Sequence, residues 1–317
     1  AGWLAGASVL LLGLGVAVGS VGWEPWFGGP EGLAIVRDIR LPRTIGAWLA
    51  GCLLGLAGAV AQGLFRNPLA DPYLLGSATG AALAVALLLV AAGTAPMLAG
   101  GWLAGVGLTG AAFVGAMLAV LLTLALARGV QHTLRLLLAG VVVGMVFGAL
   151  ASLLVFLVPS TLRSMQAFML GTTGFLGWTG VAVLGLVLAG CAVLATAFSR
   201  ALDAMALGET TAASLGLAIA PVRVALVACM ALATGAAVAH IGLVAFIGLL
   251  APHLVRALVK ATHRWTLPLS ALAGGVLLLA ADVLARWLLA PRELPVGVLT
   301  AVLGGGYLLV LMHRRLA

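Results

Sequence analysis

Long apolar runs separated by short polar stretches set the pattern of this chain. Ten runs stand out, at roughly 3–22, 44–65, 73–94, 102–127, 136–158, 167–198, 222–240, 242–260, 266–290 and 295–313. Within each run the apolar residues are continuous rather than alternating, which fits helices and not the period-two strands of a membrane barrel. About 20 such residues cross the hydrocarbon of a bilayer. The sixth run is long for one helix. Thr172, Thr173, Gly174 and Gly177 are expected to split off a half-helix at its start, around 170–177, that lines a pathway. The seventh and eighth runs have almost no loop between them, near His240, Ile241 and Gly242.

One polar stretch is unlike the others. Residues 201–223 carry Asp203, Glu209, Thr210, Thr211 and Ser214, bracketed by Arg200 and Arg223, and are cut into short pieces by Gly208, Gly216 and Pro221. No piece is long enough to span. Thr210 or Thr211 is placed to cap a short helix that stops near Gly216, and Pro221 suits the first turn of the next long helix. Two short helices outside the membrane are expected here, either as an ordinary loop or as a docking surface.

Composition agrees with the pattern. The chain is 64% hydrophobic and 8% charged, with mean hydropathy +1.26. Such a chain is a polytopic all-α membrane protein, a bundle of about ten transmembrane helices, because a helix satisfies its own backbone in lipid. The 44 glycines point to close helix packing. Cys52, Cys191 and Cys229 lie inside apolar runs, with no CxxC, and read as small core residues. The chain starts at Ala1 without Met, so its true N-terminus is expected to be trimmed or unseen. The first run lacks a signal-peptide layout and is kept as a span.

The net charge of +8 resides mainly in loops and helix ends, without interleaved aromatics, so nucleic acid is not a partner. An even number of spans puts both termini on one side. That side holds ten cations (Arg66, Arg128, Arg135, Arg200, Arg223, Arg256, Lys260, Arg264, Arg314 and Arg315) against six on the other (Arg37, Arg40, Arg43, Arg163, Arg286 and Arg292). The excess makes the first side cytoplasmic, with residues 201–222 on it.

The polar residues then exclude several chemistries. Of the acids only Asp282 falls in an apolar run, with Arg286 one helical turn away to pair with it. A single partnered carboxylate argues against an ion-coupled carrier. No two histidines have metal-pair spacing, and no metal site is expected. His240, in an apolar setting, reads as hydrogen-bonded within the bundle, with contact to a metal chelate as the other reading. No GxxxxGK[ST] phosphate loop occurs, so ATP hydrolysis would need another chain. Arg37, Arg40 and Arg43 recur at period three before the second span, and with Arg286 and Arg292 they can form a basic outer rim for an acidic partner or an anionic substrate.

Five ordered motifs carry a resemblance. They are RLPR at 40–43, QGLFRNPLADPYLLG at 62–76, LGETTAASLGL at 207–217, FIGLLAPHLVR at 246–256, and ELPVGVLTA at 293–301 followed by Gly304. In order and spacing these resemble the permease subunit of the iron-siderophore, haem and vitamin B12 class of ABC importers, over nearly the whole chain. The resemblance implies a single transmembrane permease domain over 1–317 in the bacterial inner membrane. It further implies a homodimer with two ATPase subunits below, where ATP and Mg would bind, and a periplasmic binding protein above. It places ATPase coupling on Leu207, Gly208, Glu209, Thr210, Thr211, Ala212, Ala213, Ser214, Leu215, Gly216 and Leu217. It places binding-protein docking on Arg40, Arg43 and Arg286, and gates around Thr79 and His132, Thr133 and Leu134. His240 stands where a small residue is expected, which favours haem or an iron-siderophore as substrate over cobalamin.

Overall fold

The computed structural model describes residues 2–19, 22–23, 29–92, 102–127 and 133–316. It is an all-α bundle. Helix α1 (Gly2–Ala17) leads through a two-residue antiparallel pairing (Val18–Gly19 with Gly22–Trp23) to α2 (Gly29–Ile35). A π-helical turn (Val36–Arg40) joins α2 to α3 (Leu41–Leu64), and a 3₁₀ turn (Pro72–Leu75) precedes α4 (Ser77–Ala92). Then come α5 (Trp102–Leu126), α6 (Thr133–Leu157), α7 (Leu162–Leu170), α8 (Trp178–Ala197), α9 (Ser199–Ala206) and α10 (Glu209–Ser214). The chain closes with α11 (Ile219–Ile241), α12 (Ile247–Leu258), α13 (His263–Trp287) and α14 (Val296–Leu316).

The ten apolar runs correspond to ten of these helices. Six helical stretches among the described residues are long and apolar enough to cross a membrane, and α1, α4, α12 and α14 carry shorter apolar stretches. At 12 residues, α12 reaches only about 18 Å and does not cross alone, unlike the full span expected over 242–260.

Helix α3 is the axis. It is buried along nearly its whole length, with α13, α11, α12, α8 and α1 packed around it. Small residues make this possible. A Cβ on Gly51 would sit 2.4 Å from the Gly274 carbonyl oxygen, and one on Gly58 would sit 1.7 Å from that of Gly248. Both are backbone-to-backbone contacts, so neither neighbour can yield. In lipid, where no hydrophobic force drives helices together, such close van der Waals contact is what holds a bundle.

Two chain breaks lie against each other. The half-helix expected around 170–177 is found earlier, as α7, and 171–177 is an irregular connection to α8. The other break, 242–246, separates α11 from α12. Thr172 N–H donates to the Ile241 carbonyl at 2.9 Å, and Leu243 N–H donates to that of Phe168 at 3.1 Å. Each break thus satisfies part of the other's backbone, the condition under which irregular chain is tolerated at membrane depth.

Candidate functional site

The contacts sort the loops onto two ends. At one end Asp203 accepts from the backbone N–H and Nδ1 of His263, at 3.0 and 2.6 Å, and Glu209 meets Arg223 at 2.7 Å and Arg66 at 3.8 Å. At the other, Arg43, Thr173, Asp282, Arg286 and Glu293 converge with the end of α1.

The first end carries α9 and α10. Gly208, at φ +118°, turns the chain between them. Gly208 also occupies the N-cap position of α10, so the cap expected from Thr210 or Thr211 is not formed. The stop at Gly216 is as expected. Leu217 N–H donates to Ala212 and Gly216 N–H to Ala213, with Gly216 at φ +82°, a left-handed closure that suits glycine. The segment therefore has two sides. Inward, Ala212 is fully buried and Glu209 is tied to the buried Arg223. Outward, Leu207 and Leu215 are 71% and 69% exposed, beside the exposed Thr210, Thr211, Ala213 and Ser214. Two bulky aliphatic side chains held clear of the bundle by a rigid turn form a surface that a partner can push on.

The opposite end is a charge cluster, buried at Arg43, Asp282 and Arg286 and open to solvent at Glu293. Arg43 donates from Nη1 and Nη2 to the two carboxylate oxygens of Glu293, at 2.8 and 2.9 Å, from Nη2 to Asp282 at 3.2 Å and from Nε to Thr173 at 3.2 Å. Arg286 donates to Asp282 at 2.6 Å and to the carbonyls of Gly15 and Val18, both at 2.9 Å. Thr173 hydrogen-bonds the same Asp282 carboxylate. The pairing of Asp282 with Arg286 expected from their spacing is present.

The expected exposed rim needs correcting. Arg40, Arg43 and Arg286 are all buried. The guanidinium of Arg40 lies against Gly19, where a Cβ would sit 2.6 Å from Nη2. Arg43, which starts near a helix end and meets acids from other elements, gains more by turning inward than by snorkelling outward. The exposed cations at this end are Arg37, Arg163 and Arg292. Sequence reasoning missed Thr173 and Glu293 as partners of Arg43. The available signal was charge balance, since a buried arginine needs an acid and Glu293 was the one next to the last span.

The remaining candidates are scattered. Thr79 is half-buried in the first turn of α4, donating to the Gly76 carbonyl at 3.0 Å. Leu134 is exposed at the start of α6. Thr133 begins that helix, and His132 lies outside the described residues. His240 is half-buried, its Nδ1 donating to the Ala236 carbonyl at 2.9 Å and its ring against Gly180, in keeping with the bundle reading. Where the end of α7, the 242–246 break and the starts of α4 and α14 meet, an apolar cavity of about 350 Å³ is walled by Tyr73, Met169, Leu170, Leu243 and Val298 among others.

A model of the FecCD transport family matches residues 6–314. The chain belongs to that family. Its curated relatives include the hemin transport system permease protein HmuU of Yersinia pestis, 40% identical over 280 residues, covering 88% of this chain and 83% of the relative. The vitamin B12 import system permease protein BtuC of Citrobacter koseri is 38% identical over 322 residues, covering 99% and 95%. Among solved structures, an inward-facing conformation of a transporter assigned to the metal-chelate ABC type matches with a TM-score of 0.87 at 27% identity, covering 98% and 97%. This FecCD chain is thus a permease of the metal-chelate, haem and vitamin B12 class of ABC importers. It is a multi-pass inner-membrane protein whose family implies a complex with an ATPase and a binding protein.

Proposed function

We propose that this permease works as one half of a homodimer that imports haem or an iron-siderophore by alternating access. Two separate ATPase chains, carrying ATP and Mg, bind at the α9–α10 end, and a binding protein docks at the other. The α9–α10 end and both termini are then cytoplasmic. The observation that carries the reading is the two-sided α9–α10 segment. Its outer side offers Leu207 and Leu215 to an ATPase, and its inner side leads force onward through Glu209 to Arg223 on α11 and through Asp203 to His263 on α13. Closure of the ATPase pair would press on this segment and rock α11 and α13 against α3. The hemin permease relative supports the haem reading. The B12 permease relatives support cobalamin as the second reading.

Outer docking begins on the exposed Arg37, Arg163 and Arg292. Rim charges of this kind steer association more than they tighten it. Arg40, Arg43 and Arg286 could reach a partner's acid only by leaving their own contacts.

The test is uptake into liposomes by the chain reconstituted with its ATPase and binding protein. ATP-dependent hemin uptake without cobalamin uptake is expected. Cobalamin uptake alone establishes the second reading, and uptake of either without the ATPase refutes both.

A further inference from the structure

The end that carries α9 and α10 has a second feature. An open groove of about 570 Å³ lies between the end of α8, the start of α9 and the start of α13, lined by Val193, Thr196, Ala197, Ser199, Arg200 and Arg264. Arg200 and Arg264 come from different elements, and both are exposed. Neither forms a salt bridge among the described residues. The nearby carboxylate, Asp203, is engaged by the backbone N–H and Nδ1 of His263. Helix α13 starts here with no side-chain cap and no acid in its first turn, so the positive end of its dipole adds to the two guanidinium groups. The groove therefore has positive charge that the protein itself does not balance.

Its other wall is apolar. Helix α8 turns Val183, Leu186 and Val193 outward, on a helix apolar enough to cross a bilayer. Trp265 and Lys260 are exposed beside Arg264, as is Leu258, the residue types that mark the boundary between hydrocarbon and headgroups. The hydroxyls lining the groove add a further constraint. Thr196 donates to the Ala192 carbonyl at 2.6 Å and Ser199 to that of Thr196 at 2.7 Å. Their protons are spent on backbone carbonyls, which leaves the oxygen of the exposed Thr196 to accept, with the buried Ser199 beneath it. A fitting ligand has anionic oxygens for two arginines, a hydroxyl donor for Thr196, and an apolar tail to lie along α8.

We propose that this groove binds the headgroup of an anionic phospholipid of the phosphatidylglycerol type. The phosphate lies between Arg200 and Arg264, a glycerol hydroxyl faces Thr196, and the acyl chains run along Val193. Under the proposed topology the lipid belongs to the cytoplasmic leaflet, where it would wedge α8 against α13 at the root of the α9–α10 segment. The chemistry of the groove does not depend on that topology or on the imported substrate.

The full-length chain in phosphatidylcholine-containing detergent is titrated with phosphatidylglycerol, and retained lipids are counted by native mass spectrometry. Wild type should hold phosphatidylglycerol in preference to phosphatidylcholine. Arg200→Gln/Arg264→Gln should bind it about twenty-fivefold more weakly, from roughly fivefold for each surface arginine. An unchanged melting midpoint in phosphatidylcholine alone verifies the fold. If the double variant does not fold, Arg200→Gln alone should still show the fivefold loss. Inorganic phosphate at millimolar concentration should leave the lipid in place, because it has a headgroup's charge and no tail. Equal retention by wild type and variant overturns the proposal. Displacement of the lipid by inorganic phosphate also overturns it, assigning the groove to a free anion. When the double variant is co-purified with the ATPase, loss of the ATPase with lipid retention unchanged also overturns the proposal and assigns the arginines to the partner.

Discussion

Replacing Asp282 with Asn tests whether the charge cluster opposite α9–α10 is a closed and dry unit. Two guanidinium groups, Arg43 and Arg286, face two carboxylates, Asp282 and Glu293, so the set is neutral. Asp282 is 0% exposed and Arg286 is 1% exposed. Asn keeps the size of Asp282 but leaves one buried cation in excess. Removing one partner of a buried pair costs about 3–5 kcal/mol, against about 0–1 kcal/mol for a surface pair. The free energy of unfolding in mixed micelles distinguishes the two. Asp282→Asn/Arg286→Met restores neutrality, leaving Arg43 with Glu293. The double-mutant cycle should therefore show a coupling of about 1–3 kcal/mol, although the carbonyls of Gly15 and Val18 lose their donor. The wild-type midpoint should change little with salt, since buried pairs are weakly screened. A loss below about 1 kcal/mol for Asp282→Asn would mean that the cluster is hydrated and not a dry unit.

Other expectations follow from the same geometry. Leu207→Asp/Leu215→Asp should abolish co-purification of the ATPase while changing stability by no more than about 0.5 kcal/mol, because both side chains are exposed; retained ATPase would remove the docking reading. Glu209→Gln should lower stability by about 1–3 kcal/mol, since it weakens the tie to buried Arg223, and should uncouple ATP hydrolysis from uptake even where the ATPase still binds. Gly58→Val should cost about 1–3 kcal/mol or more, as its Cβ would meet the Gly248 carbonyl; wild-type melting would show that α3 and α12 can separate freely. Arg37→Glu/Arg292→Glu should slow association of the binding protein at low salt, and an unchanged rate in stopped-flow mixing would move docking elsewhere.

The fold was legible because membrane helices announce themselves one at a time. Each apolar run satisfies its own backbone, so ten runs predicted ten helices without knowledge of their neighbours. The short helices around Gly208 and Gly216 were legible for a similar reason, since the closure of α10 at Gly216 rests on local backbone conformation. What the sequence concealed depends on partners distant in the chain. Glu293 lies 250 residues from Arg43 and Thr173 lies 130 from it, and nothing local marks either as the answer to a buried guanidinium. The placement of Arg40, Arg43 and Arg286 shows the consequence. A count of cations on one side of a membrane predicts topology, because insertion responds to charge near span ends. It does not predict direction, because whether an arginine faces water or the bundle depends on where the acids fall. Asp282, the one carboxylate within an apolar run, was therefore the more informative residue. A carboxylate inside an apolar run requires cations brought to it, and here they are Arg286, one helical turn away, and Arg43, which position alone assigns to the surface.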